Sequence, residues 1–278
     1  MSVDLHIHST ASDGTDAPQR IIDLAVARGL TAVSICDHDT MAANAVASAA
    51  AAGRLAYLPG VEVSSVIGAL ELHILGYFAQ PGYAPLAEEL LKIRQERVAR
   101  IGRTVARLNE LGVGLEVADV EAAAGAEPGH DIALGRPHVA SALVKRGVVA
   151  TPNEAFERYL RRGRPAFMER YRLKPERAVQ LIREAGGLPV LAHPGLVKND
   201  SLIAQLVLQG LGGLEAYHTA HTEADTQRYL KIAERLGLYV TGGTDSHGAS
   251  GSYPVEIGRV EVPDECAAKL LAWAEGNR

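Results

Sequence analysis

Val3-Asp4-Leu5-His6-Ile7-His8, running straight into Ser9-Thr10-Ala11-Ser12-Asp13-Gly14, is the stretch whose reading decides this chain. The short apolar run predicts a β-strand over 3–8. Residues i and i+2 of a strand face one side, so the imidazoles of His6 and His8 can reach one metal ion. Asp13, in the loop that follows, offers a carboxylate. An isolated His-x-His is weak evidence, since histidine has many ordinary hydrogen-bonding roles. Its recurrence elsewhere gives it weight.

Working outward, strand 31–36 ends in Asp37-His38-Asp39, strand 56–61 reaches Glu62, and strand 70–78 carries His73 among aliphatic residues. Much later, strand 189–192 ends in His193-Pro194-Gly195 and strand 239–244 in Asp245-Ser246-His247. Helix-length segments separate the strands: 18–28 with Asp16 as a cap before it, 42–52, 175–185, 201–209 and 223–236, with a further strand over 213–216. Repeated strand–helix units predict a parallel α/β barrel or a related layered sheet. The C-terminal strand ends of such a barrel share one rim, where six of the ten histidines and three carboxylates would meet. The candidate ligands are His6, His8, Asp13, His38, Glu62, His73, His193, Asp245 and His247. They exceed what one ion needs, so two or three divalent ions with a bridging carboxylate is the economical assignment. Imidazole with carboxylate suits zinc, manganese or iron. Paired cations activate water and neutralise charge on phosphate oxygens.

The middle of the chain reads differently. Segments 86–111, 117–124, 138–146 and 153–160 are helical in pattern, which predicts a helical insertion over 83–167 between barrel halves 1–82 and 168–278. No internal repeat or low-complexity linker is present.

Charge excludes some classes of function. With 28 basic and 33 acidic residues the chain carries a formal −5, against a nucleic-acid coat or an anionic-membrane binder, though not against one local basic pocket. Aromatics are only 5%, so the core is expected to be small and aliphatic. Cys36 and Cys266 make no disulfide framework and no zinc-type pair, which points to a reducing, cytoplasmic compartment. Neither a signal sequence nor an 18-residue apolar run is present, so no membrane association is expected. There is no G-x-G-x-x-G after a strand and no P-loop, so no nucleotide cofactor is implied.

The motifs DLHIHSTASDGT, CDHDT, GVEVS, ELHILGY, AHPG and TGGTDSHG resemble, in order, those of the PHP (polymerase and histidinol phosphatase) family of the amidohydrolase superfamily. The resemblance covers both predicted barrel halves, 1–80 and 168–250. It implies a distorted (β/α)7 barrel with a trinuclear site. One ion would rest on His6, His8, Glu62 and Asp245, a second on Glu62, His73 and His193, and a third on Asp13, His38 and His247. Asp13, His38, Glu62, His193, Asp245 and His247 would form the catalytic core. Manganese is the first expectation for the ion, with zinc or iron as alternatives. Every one of these positions holds the expected residue type. Gly135–Ala140 and Tyr159–Ala166 resemble the insertion of a stand-alone subgroup. That likeness implies removal of the 3′-phosphate from nucleoside 3′,5′-bisphosphates, such as adenosine 3′,5′-bisphosphate, and trimming of short 5′-phosphorylated oligonucleotides as a related activity. Histidinol-phosphate hydrolysis, another PHP phosphoesterase or nuclease activity, and metal binding without catalysis are the alternatives. No obligate protein partner is inferred.

A second phosphate needs a cationic grip. Arg136 can fork onto it and His138 can donate beside it; a loop cap or a salt-bridged helix start is the competing reading. Arg164, in the basic run Arg161, Arg162, Arg164, is a further substrate candidate, against a solvated helix end. Asp37 and Asp39 either orient an imidazole or cap loops. His218 can meet substrate or protonate the leaving oxygen, while His221 reads as a helix start. His130 is expected to be exposed, and Cys36 to be a buried apolar filler.

Overall fold

The alternation at the N-terminus becomes strand β1 (Ser2–Ile7). It does so in a computed structural model that describes residues 2–68, 70–80, 84–125, 134–169, 173–249, 251 and 254–277. The chain divides into two units, Met1–Leu91 with Arg172–Arg278, and Lys92–Tyr171.

The first unit holds all the strands. β1, β2 (Leu30–Ile35) and β3 (Ala56–Tyr57) form a parallel sheet in that order. A second sheet runs β4 (Gly60–Ile67), β5 (Leu70–Tyr77), β6 (Leu188–Leu191), β7 (Gly213–His218) and β8 (Tyr239–Gly243). Helices α1 (Pro18–Ala27) and α2 (Asn44–Ala51) accompany the first sheet. The expected α/β fold is present, but of the distorted (β/α)7 barrel no closed form is found among the described residues, and the strands are not all parallel. β4 and β5 pair antiparallel along a ladder from Gly60↔Tyr77 to Ile67↔Leu70, and β5 is antiparallel to β6. Two residues separate Ile67 from Leu70, enough for a hairpin, whereas a parallel crossover needs a dozen or more. The sheets approach each other through the bridges Ile7↔Ser246 and His38↔Glu62; no continuous ladder closes them among the described residues. What survives is the parallel arrangement of β1–β3 and of β6–β8.

Buried apolar clusters among the described residues hold this unit. One gathers Val3, Leu5, Leu75, Tyr77, Val190 and Leu270, with Cys36 fully buried among them; burial pushes the Cys36 thiol up to about 12. Another gathers Ile7, Val33 and Ile35 against Ile21, Ile22 and Ala25 of α1 and Ala47 of α2. Removing these side chains from water is the main driving force for stacking helix on sheet. β8 lies so close to β1 that a Cβ at Gly243 would sit 2.4 Å from the His6 nitrogen, so only glycine fits there.

The second unit is helical. It takes the rest of α3 (Ala84–Glu110), α4 (Val117–Ala123), α5 (Arg136–Lys145) and α6 (Pro152–Ala155), which continues as a π-helical turn over Phe156–Leu160. Its core contains Ile101, Leu108, Leu115, Val139, Leu143 and Leu160. His130 lies outside the described residues. Among the described residues no helix is long and apolar enough to cross a membrane.

Candidate metal centre

Strand geometry does what the pattern predicted at β1. His6 and His8 project to one side, fully buried, with their Nε2 atoms 3.2 Å apart. From β4, Glu62 brings Oε2 to 3.4 Å from His6 Nε2 and 3.2 Å from His8 Nε2. Asp245, just past β8, brings Oδ1 to 3.5 and 3.0 Å of the same two nitrogens. These four residues form one ligand group. A second group holds His38, Glu62 and His73: His38 Nδ1 lies 2.9 Å from Glu62 Oε2, and His73 Nδ1 lies 2.8 Å from Oε1. His193 Nε2 reaches the same Oε1 at 3.0 Å. A third group holds His8, Asp13, His38 and His247, with His247 Nε2 3.4 Å from Asp13 Oδ1. The groups share His8, His38 and Glu62, and imidazole nitrogens lie within 3.4 Å of each Glu62 oxygen.

Could this arrangement stand without cations? Glu62, Asp13 and Asp245 are buried or nearly so, and Glu62 Oε2, Asp13 Oδ1 and Asp245 Oδ1 find no hydrogen-bond partner among the described residues. Buried polar atoms left so are rare and costly. Divalent ions would satisfy them, and the N/O donor set fits zinc, manganese or iron. The electrostatics agree. Burial alone would raise the Glu62 carboxyl, yet the surrounding rings of His38, His73 and His6 hold it well below the usual carboxylate range. Burial likewise opposes the ionised forms of Asp13 and Asp245, and neighbouring imidazoles again prevail, keeping both low. Burial also disfavours the His8 imidazolium, but contacts with Asp245 and Glu62 outweigh it and push the ring up to about 10. The pocket is therefore built for positive charge.

The backbone is strained where it carries ligands. His193 and Asp245 have φ of 27° and 54°, in the left-handed region that side-chain-bearing residues seldom adopt, and Asp39 shares a φ of 54°. Buried carboxylates brace the loops. Asp37 accepts from the N–H and hydroxyl of Ser9 and the hydroxyl of Ser12, at 2.7, 2.7 and 2.6 Å, clamping the loop that delivers Asp13. Asp39 accepts from the N–H and hydroxyl of Ser64 at 2.8 and 2.9 Å, docking its loop on β4. For Asp37 the loop-capping reading is thus the one realised. Gly14 closes the same loop: a Cβ there would lie 2.4 Å from the His8 carbonyl oxygen.

His218 is buried at the end of β7, its Nε2 3.5 Å from Asp245 Oδ2, while its Nδ1 accepts the N–H of Ala220 at 3.0 Å. His221 Nε2 accepts the N–H of Gly195, and its Nδ1 donates to the Ala216 carbonyl, so it ties the His193-Pro194-Gly195 turn to β7.

The remaining substrate candidates lie in the helical unit. Arg136 is half-buried, stacks over Phe167 at 5.7 Å and points toward the Leu160 carbonyl. His138 Nδ1 accepts the Gly135 N–H at 3.0 Å, which is the capping contact of α5. Arg164 is exposed and pairs with Glu157 at 3.6 Å, alongside Arg161 on the same carboxylate, as a solvated helix end would.

Three residues escaped the pattern reading. Asp4 and Glu215, each fully buried, sit inside apolar strand runs, and an acid in such a run was the available signal. Arg100 lies on the buried stripe of α3 with Ile93, Thr104 and Leu108, only 2% exposed. Its Nε has no hydrogen-bond partner among the described residues, and burial together with the charges of Arg136, Arg97 and Arg103 pushes it down to about 10. A buried Nε–H left so carries an unrecovered desolvation cost.

Comparison with known proteins gives this geometry a context. The family model for the PHP domain matches residues 4–119. Over 278 residues the chain is 34% identical to the 3′,5′-nucleoside bisphosphate phosphatase of Chromobacterium violaceum, covering 95% of this chain and 94% of that one. It is 35% identical over 267 residues to the phosphoribosyl 1,2-cyclic phosphate 1,2-diphosphodiesterase of Eggerthella lenta, covering 91% of this chain and 97% of that one. A crystal structure from Bifidobacterium adolescentis, described as a metal-dependent phosphoesterase, superimposes with a TM-score of 0.85 at 30% identity, covering 98% of this chain and 96% of that one.

Proposed function

The chain belongs to the PHP family of metal-dependent phosphoesterases, and from that premise we propose that it releases the 3′-phosphate of nucleoside 3′,5′-bisphosphates, leaving the 5′-monophosphate. The observation that carries the substrate reading is the 34% identity, over 95% of this chain, to the 3′,5′-nucleoside bisphosphate phosphatase of Chromobacterium violaceum. Within the helical unit, Arg136 and Arg100, whose Nε finds no hydrogen-bond partner among the described residues, offer the positive charge that a phosphate takes.

His6, His8, Glu62 and Asp245 would hold one cation, Glu62, His73 and His193 a second, and Asp13, His38 and His247 a third. Bound there, divalent ions lower the pKa of water and spread the charge of the transferring phosphoryl group. Glu62, which belongs to both the His6/His8 and the His38/His73 groups, would contribute a carboxylate to both cations. His247 Nδ1 donates to the Asp245 carbonyl at 2.8 Å, which turns its Nε2 lone pair toward Asp13. His218, with Nδ1 occupied by the Ala220 N–H, presents Nε2 as a donor that would hydrogen-bond to the leaving 3′-oxygen. Arg136, with Arg100 as its neighbour in the helical unit, would serve as a substrate-binding residue for phosphate. His138 and Arg164 stay weaker candidates, since one caps α5 and the other pairs with Glu157. Short 5′-phosphorylated oligonucleotides fit the same chemistry as secondary substrates. Manganese is the proposed ion. The two free, buried cysteines support a cytoplasmic setting.

A substrate panel tests this reading. Manganese-loaded protein should hydrolyse nucleoside 3′,5′-bisphosphates in preference to histidinol phosphate, to a ribose 1,2-cyclic phosphodiester and to a 5′-phosphorylated dinucleotide. Product analysis should show loss of the 3′-phosphate. Preference for histidinol phosphate or for the cyclic diester would overturn the substrate assignment, and inertness on all of them would overturn the catalytic one. Arg136→Ala should weaken bisphosphate binding more than hydrolysis of a simple monoester.

A further inference from the structure

Glu215, on β7, is fully buried and divides its two oxygens between two other elements. Oε1 accepts from His6 Nδ1 at 3.0 Å, and Oε2 accepts from the backbone N–H of His193 at 2.7 Å. These contacts act on different ligand sets. His6 belongs with His8, Glu62 and Asp245, whereas His193 reaches the opposite oxygen of Glu62.

We infer that Glu215 is a positioning residue that prepares two cation sites at once, a role that rests on the metal-site half of the function proposed above. Its action on His6 is through the ring. A carboxylate can only accept, so the bond at Nδ1 fixes a proton there and leaves the Nε2 lone pair facing the cluster. Its action on His193 is through the main chain. His193 holds φ at 27°, a conformation that persists only where surrounding structure over-determines it. The bond from Glu215 supplies one restraint, and the bond from the Gly195 N–H to His221 supplies another two residues on. Both restraints issue from β7 or the residues just after it, so this strand serves as the template on which the His193 turn is set. Glu215 also adds a negative charge next to the cluster without contacting the ligand oxygens. Burial disfavours that charge, and His6, His218 and His193 hold the carboxyl below its ordinary range nonetheless.

Glu215→Gln keeps the volume but makes one arm a donor. If the amide oxygen faces His193, the amide nitrogen faces His6 Nδ1 and favours the wrong ring tautomer; if it is turned, the His193 N–H is left facing a donor. The test is metal titration of chelator-treated protein with zinc, read by competition against a chromophoric chelator, together with the ring nitrogen spectrum of zinc-loaded, 15N-histidine-labelled protein. The expected result is a loss of about 10–100-fold in zinc affinity, the usual cost of removing such a partner. The His6 Nδ1–H resonance of the wild type should also shift in the variant, because its carboxylate acceptor is gone, and the loss of zinc affinity should exceed what any lower metal-free melting temperature accounts for. Zinc binding is read without substrate, so a protein inert on every bisphosphate still tests Glu215. Unchanged zinc affinity with an unchanged ring spectrum overturns the inference, and so does a variant whose only defect is a lower metal-free melting temperature. Should Glu215→Gln not fold, Glu215→Asp retains the charge but withdraws it by one methylene. Weakened zinc binding in that variant supports the role, and wild-type binding overturns it.

Discussion

Asp4 and Thr244, 240 positions apart, are joined twice: the Thr244 N–H and hydroxyl both donate to the Asp4 carboxylate, at 2.9 and 2.6 Å. The same carboxylate accepts the Gly258 N–H at 2.8 Å and a longer bond from the His6 N–H at 3.4 Å. One buried acid beneath the ligands thus ties the start of the chain to β8, directly ahead of Asp245. The two ends of the sequence share the metal centre because this acid, with the Gly243 approach, holds β8 against β1.

Asp4→Ala should therefore act on stability before it acts on chemistry. It strands several buried donors at once, each costing on the order of 1–3 kcal/mol. A total near 3 kcal/mol lowers the melting temperature by roughly 6–12 °C in a chain of this size. Calorimetry of the chelator-treated protein reads it, and an unaltered melting temperature contradicts the role.

Metal binding should compete with protons. The His8 ring, raised to about 10 by Asp245 and Glu62 despite its burial, must give up a proton to become a ligand. Zinc or manganese affinity should rise with pH over the range from 6.5 to about 10, with proton release seen calorimetrically in buffers of different ionisation enthalpy. The metal-free protein should behave oppositely. A ring whose folded pKa is raised binds more protons folded than unfolded, so its contribution is complete below 6.5 and is lost as pH climbs toward 10. Metal affinity independent of pH, with no proton released, would exclude this linkage.

Glu62→Gln should nearly abolish activity while leaving the fold in place. The amide keeps the volume but removes the charge that lies between the His6/His8 and His38/His73 groups. Because Glu62 contacts the ions directly in this reading, the loss should exceed the roughly 100-fold that outer partners cost. Steady-state rates and bound-metal analysis together decide it; retention of full metal content and rate would remove Glu62 from the centre.

Arg100→Met should stabilise the protein and impair it. An apolar side chain of similar length removes a buried charge whose Nε finds no partner among the described residues, and with it that group's desolvation cost. The same change should raise KM for a nucleoside 3′,5′-bisphosphate several-fold without raising it for a simple phosphomonoester. A lower melting temperature with an equal effect on both substrates would count against an anion-binding role.

Much of the site was legible from local pattern. Period-two alternation revealed β1 and the His6/His8 pair, and strand-end positions flagged His38, Glu62, His193, Asp245 and His247. Strand direction was not legible in that way, because an apolar alternation reads the same for β5 whether it runs parallel or antiparallel to its neighbours; the two-residue gap after Ile67 was the missed clue. Asp4 and Glu215 were passed over because their partners lie far off along the chain, at Thr244 and Gly258 for one and at His6 and His193 for the other. The cap of α5 by His138 and the pairing of Arg164 with Glu157 likewise needed coordinates to choose between two readings.

By itself the sequence determined which residues are fit to be ligands and which strands carry them, since ligand chemistry and side-chain alternation are properties of single residues and short runs. Only the tertiary structure decided which of the candidate ligands lie within a few ångströms of one another, that β4 and β5 run antiparallel within a second sheet, and that Glu215 bonds to His6 and His193 at once. Those outcomes depend on distances of a few ångströms between segments far apart in the chain, and such distances are set by packing and buried hydrogen bonds rather than by local order.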